Sequence, residues 1–108
     1  MVKKLTFKGK EYPYRVSYYA LKHFSIQTGR EYNPSGAQTA EDLEDLEILL
    51  YHAMRGECIS EGVEFDIKME EMEFVLDKNF LDLMESIQAF TLAVERAAPK
   101  GAPIPKNR

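Results

Sequence analysis

The chain has no tryptophan, a single cysteine, Cys58, and only two histidines, His23 and His52, in 108 residues. One cysteine excludes an internal disulfide, and with it the stapled scaffolds of small secreted proteins. No apolar run approaches the length that spans a bilayer, and Met1-Val2-Lys3-Lys4 does not lead into the hydrophobic stretch of a signal peptide. The expected location is therefore a cytoplasm. Gly9, Gly29, Gly36, Gly56 and Gly62 stand alone at turn or cap positions, which leaves no glycine-rich phosphate loop. His52 with Cys58 is the one pair that resembles a nucleophile with its base or two metal ligands, yet a six-residue gap across a predicted helix end matches no ligand spacing. His23 has no Cys, Asp or second His three or four residues on, and reads as a solvated helix residue. Carboxylate pairs are frequent only because the helices are acidic. The sequence thus predicts no catalytic residue, no cofactor and no metal site, and the chain reads as not an enzyme.

What is present is ordinary globular material, 44% apolar and 30% charged, enough for one domain with a modest core. That domain is expected over residues 1–98, followed by a disordered tail over 99–108, where three prolines and a glycine accompany no periodicity. The formal net charge of −4 is unevenly spread: residues 1–30 carry +6, residues 31–98 carry −13, and the last ten carry +3. Such a division favours packing the basic start of the chain on acidic helices, and it steers basic partners. It argues against nucleic acid, because the acidic bulk would repel phosphates.

The clearest helix is Thr39 to Gly56. Thr39 with the acidic pair Glu41-Asp42 supplies its cap, and Arg55-Gly56 its expected stop. Leu43, Leu46, Leu49, Leu50, Ala53 and Met54 share one arc and predict a buried face. Ile48 and Tyr51 lie off that arc, beside Glu44 and Arg55. They are either a second layer of the same core, which is the simpler account, or a ridge that takes a partner.

Ahead of this helix, Lys4–Phe7 and Glu11–Val16 alternate apolar and polar residues around a Lys8-Gly9-Lys10 turn, which predicts a hairpin with an aromatic face resting on a helix. Ser17 caps a predicted helix over 18–28, which Gly29 ends. Leu21, Phe24 and Thr28 make its buried stripe, with Ala20 at the margin, while Tyr19 and Ile26 point elsewhere. Asn33-Pro34-Ser35-Gly36 marks a loop that contains Tyr32, either a contact residue or an aromatic folded back over the core. Beyond Gly62, Val63 and Phe65 suit a short extended piece. Asp66 is expected to cap a third helix to about Asp77, with Met69, Met72, Val75 and Leu76 on one side and Ile67 and Phe74 on the other. Asn79 is expected to cap a fourth, whose Phe80, Leu83, Ile87, Phe90 and Val94 form one stripe. That stripe also fits a seam for self-association. The predicted fold is α+β: an N-terminal two-stranded β-hairpin packed on a bundle of about four α-helices.

Phe7-Lys8-Gly9-Lys10-Glu11-Tyr12-Pro13-Tyr14, then Ala20-Leu21-Lys22-His23-Phe24 leading to Thr28-Gly29-Arg30, resembles the opening of the tail assembly chaperones of long-tailed bacteriophages and prophages. The similarity continues in order and length through Asp42-Leu43-Glu44-Asp45-Leu46 to about residue 92. It implies a cytoplasmic, non-enzymatic protein of a bacterial host cell that binds and solubilises the tape-measure protein, with the tail tube protein as a further partner, and no membrane or nucleic acid. The residues expected to meet that partner, read from the second apolar faces and not from the family, are Ile48, Tyr51, Glu44, Arg55, Tyr19 and Ile26. A different virion-joining or adaptor module shares the same composition and is the alternative.

Overall fold

The structure is a computed structural model and describes residues 2–34 and 39–97. Its order is β1 (Lys3–Phe7), β2 (Lys10–Tyr14), α1 (Tyr18–Thr28), α2 (Ala40–Glu61), a 3-10 turn at Met69–Glu71 and α3 (Met72–Ala97). The hairpin closes on two residues of positive φ, Lys8 at 53° and Gly9 at 79°, the combination whose twist matches that of paired strands. Leu5 lies opposite Tyr12, and Lys3 opposite Tyr14. Leu5, Tyr12 and Tyr14 turn inward and are buried against the helical layer. Tyr12 buries its ring and keeps its polar end satisfied, its hydroxyl donating to Asp66 Oδ1 at 2.7 Å.

α1 has the predicted ends. The Ser17 hydroxyl oxygen accepts from the Ala20 N–H, and Gly29, at φ 73°, donates its own N–H to the Ser25 carbonyl. α2 starts as expected, the Thr39 hydroxyl oxygen accepting from the Asp42 N–H at 3.1 Å. It does not stop at Gly56. It continues to Glu61 and ends at Gly62, which takes the left-handed conformation, φ 73°. The physical reason is burial: the turn after Gly56 places Glu57 and Cys58 inside, where Glu57 accepts from Arg15 Nε at 2.9 Å and Cys58 fills the core. Gly56 itself serves a close approach, since a Cβ there would lie 2.6 Å from Cδ1 of Tyr19.

The bundle has three helices, not about four. Asp66 does not cap a helix, because its carboxylate is taken by Tyr12. The turn instead begins after Lys68, whose N–H donates to Glu71 Oε1 at 2.9 Å. The break expected at Asn79 is a kink within one helix: φ is −127°, and the side-chain amide donates to the Val75 carbonyl at 2.8 Å. That bond occupies the carbonyl four residues back, the acceptor a regular helix would satisfy with a backbone N–H, so the chain bends without ending.

α2 is the central element, in contact with α1, β2, the 3-10 turn and α3. Leu46, Leu49, Leu50, Ala53 and Met54 are buried as predicted, while Leu43 remains partly exposed. Phe24 meets Tyr32 edge-on at 5.4 Å, so Tyr32 does fold back over the core, and its burial pushes the phenol up to about 12. Of the α3 stripe, Leu83 and Ile87 are buried, Phe80 and Phe90 are half-buried, and Val94 is exposed. The expected tail over 99–108 and the Ser35-Gly36 part of the loop signal lie outside the described residues.

Candidate partner-binding face

Glu44, Ile48, Tyr51 and Arg55 recur at steps of four, three and four, one stripe along α2 on the side away from Leu46, Leu50 and Ala53. Glu44 and Arg55 are exposed, whereas Ile48 and Tyr51 are half-buried and packed against the margin of the core. Tyr51 meets Phe65 at 5.0 Å and the ring of His52 at 5.2 Å, both edge-on. Tyr19 of α1 reaches α2 at Gly56, next to Arg55, and its ring stacks on His23 at 4.1 Å. Ile26 follows Tyr19 by two turns on the same side of α1 and is 66% exposed. Ile48, Tyr51 and Tyr19 thus belong to a second layer over the core, while Glu44, Arg55 and Ile26 are exposed.

The anchoring runs through a row of rings. His23 and His52 lie 5.6 Å apart, Tyr51 follows, then Phe65, and Phe65 meets Tyr12 edge-on at 6.3 Å. His23 is thus half-buried between Tyr19 and His52, not simply solvated. The spacing of Tyr19 and His23, four residues on one helix, is a signal of their stacking that the sequence carries. Phe65 and Gln27 carry no such local signal, because their partners come from other elements.

His52 is buried. Its Nε2 lies 2.7 Å from Gln27 Oε1, within hydrogen-bond distance. Nδ1 is buried with no partner among the described residues. Burial first, then the neighbouring charges of His23 and Arg55, lowers the imidazole to about 4, so the ring is neutral at ordinary pH. Cys58, six residues on, turns into the core while His52 turns to α1. Burial pushes the Cys58 thiol up, the opposite of what a reactive thiolate needs.

Two open grooves flank the second half of α3. One, of about 780 Å³, is lined by Leu81, Met84, Ile87, Thr91 and Pro34, with Asp82 and Glu85 on its rim. The other, about 580 Å³, lies between α3 and the start of α1. Among the described residues no group of three His, Cys, Asp or Glu side chains is placed to hold a metal ion, and no helix is long and apolar enough to cross a membrane.

Most of the basic side chains of residues 1–30 are paired inside the fold. Lys3 pairs with Glu85, Lys8 with Glu71, Lys10 with Asp66 and Arg15 with Glu57, so the hairpin and the residue after it are pinned to the acidic helical layer at four points. Arg30 makes a two-pronged contact with Asp45, at 2.8 and 3.0 Å, tying the end of α1 to α2. Comparison of the chain with family models, with characterised proteins and with solved structures finds no match.

Proposed function

We propose that this chain is a non-enzymatic protein-interaction module acting as a phage or prophage tail assembly chaperone, which holds the tape-measure protein soluble in the bacterial cytoplasm while the tail tube gathers. The observation that carries the reading is the outward stripe of α2, where half-buried Ile48 and Tyr51 lie between charged residues, with Ile26 exposed on the neighbouring helix. An apolar ridge of this kind receives the hydrophobic stripe of a partner helix. The resemblance of Phe7–Tyr14 and Ala20–Arg30 to such chaperones supplies the identity of the partner.

Co-expression with a tape-measure protein tests the proposal. The expected outcome is that the partner stays soluble and co-purifies, and that Ile26→Ser together with Ile48→Ser weakens recovery about tenfold, a loss of ~1.4 kcal/mol in binding. Ile26→Ser alone, at an exposed position, leaves the melting temperature unchanged, which separates binding from folding. A partner that still aggregates beside a soluble chain favours the second reading, a virion-joining or adaptor protein. Such a protein remains in purified particles, from which an assembly chaperone is absent.

A further inference from the structure

We propose that the contact between α1 and α2 is an acid-released joint: a proton on His52 undocks α1, while the hairpin, α2 and α3 stay folded together. The inference does not depend on any partner.

Its basis is the way His52 is held. The joint is built from Tyr19, His23 and Gln27, four residues apart on α1, set against His52 and Gly56, four apart on α2. Tyr19 fills the place of a Cβ on Gly56, the His23 ring lies 5.6 Å from that of His52, and Gln27 Oε1 lies 2.7 Å from His52 Nε2. His52 is 5% exposed, and its Nδ1 is buried with no partner among the described residues. A neutral imidazole tolerates this, since one of its nitrogens carries no proton. An imidazolium has two N–H donors, and one of them is then buried without an acceptor.

No opposite charge compensates. From α1 the ring is faced by His23 and by the neutral Gln27. From α2 it is faced by Tyr51, edge-on at 5.2 Å, and by Arg55, and the charges of His23 and Arg55 both oppose a proton on His52. The carboxylates of α2 to either side in sequence, Asp45 and Glu57, are taken by Arg30 and Arg15.

The architecture makes the release local. α2 contacts β2, the 3-10 turn and α3 directly, whereas α1 packs on α2, and an open groove of about 580 Å³ lies between the start of α1 and α3. α1 can therefore leave while the other contacts of α2 persist. Burial of Ala20 and Phe24 and the Arg30–Asp45 contact hold it in place until the proton arrives. Tyr19 and Ile26 travel with α1 while Ile48 and Tyr51 stay on α2, so opening also divides the candidate partner-binding face.

The test follows amide-exchange protection in the full chain at pH 7.5 and 5.5, each rate taken relative to the intrinsic rate at that pH. An opened joint binds the proton at an ordinary value near 6.5 and a closed one only near 4, so protection is complete above pH 6.5 and is lost below it. The expected result is that α1 amides lose about tenfold in protection between the two pH values and at pH 5.5 are less protected than those of Leu83 and Ile87 in α3. His52→Gln is expected to abolish the pH-dependent fall in α1. Gln27→Glu keeps the histidine and gives its proton a carboxylate, so α1 is expected to stay closed at pH 5.5. Equal protection of α1 and α3 at pH 5.5 means that the molecule opens only as a whole and overturns the inference. So does α1 protection that is unchanged between the two pH values, or a fall in α1 that persists in both variants.

Discussion

At the scale of single residues, Gly56 and His52 make the sharpest statements. In an isolated helix Ala is favoured over Gly by about 1 kcal/mol. Here the Tyr19 ring occupies the place of the missing Cβ, at 2.6 Å from Cδ1 and 2.9 Å from Cγ, atoms too near the backbone of α1 to swing aside. Gly56→Ala is therefore expected to destabilise by ~1–3 kcal/mol, as overpacking does. In a Tyr19→Ala background the same change should be neutral or stabilising. Denaturant midpoints of the four proteins in that cycle decide it.

His52 gives a pH dependence of definite sign. Its folded value, about 4, lies below the unfolded one near 6.5, so the folded state prefers the neutral ring and the unfolded state binds the proton first. Stability from this group is complete above pH 6.5, is lost as pH falls from 6.5 toward 4, and amounts to ~3 kcal/mol over the whole interval. His52→Gln should flatten that part of the stability curve while the carboxylate-driven loss at lower pH persists. Urea titrations at pH 7.5, 5.5 and 4.5 on both proteins measure it.

Among the elements, α3 shows where helical periodicity succeeds and where it fails. Leu83, Ile87, Phe90 and Val94 share a stripe in sequence, but the body of the protein covers only its first part: Leu83 and Ile87 are buried, Phe90 is half-buried and Val94 exposed. Leu83→Ala should consequently cost ~2–5 kcal/mol, and Phe90→Ala clearly less than the ~3–5 kcal/mol of a fully buried phenylalanine. A Phe90→Ala loss as large as that of Leu83→Ala in dilute protein would mean that Phe90 is covered by another copy. Asn79 illustrates a different limit. Asparagine is as good a cap as it is a back-bonding kink residue, and its own sequence neighbourhood does not distinguish the two. The choice rests on Leu76 and Leu83, both buried on either side of Asn79, which hold the two segments along one continuous packing surface.

For the whole molecule, opposite charge brings the hairpin to the helices and apolar burial keeps it there. Three of the four ion pairs that pin it join Lys3, Lys8 and Lys10 to solvent-accessible carboxylates, and such pairs contribute well under ~1 kcal/mol each, while Arg15 meets a buried carboxylate, Glu57. Tyr14, nearly inaccessible on the inner face of the same hairpin, contributes far more. Raising salt to about 0.5 M should lower stability by ~1 kcal/mol or less, whereas Tyr14→Ala should cost ~3 kcal/mol or more. Thermal or urea denaturation at two salt concentrations separates the two contributions.

The local chemistry of the sequence determined the hairpin turn at Lys8-Gly9, the Ser17 and Thr39 caps, the Gly29 stop, and the core faces of α1 and α2. Each depends on residues within one or two turns of one another, where sterics and backbone hydrogen bonds act without help. Tertiary structure decided the rest. It carried α2 through Gly56 because Glu57 and Cys58 had burial and a partner waiting, and it joined the last two predicted helices because one packing surface runs past Asn79. It withdrew Asp66 from capping to receive the Tyr12 hydroxyl. The candidate face divides in the same way: its apolar residues were legible as positions off the main arc of α2. That Tyr51 leans on Phe65 and Tyr19 on Gly56 was not, because those neighbours are distant in the chain and meet only when the elements pack.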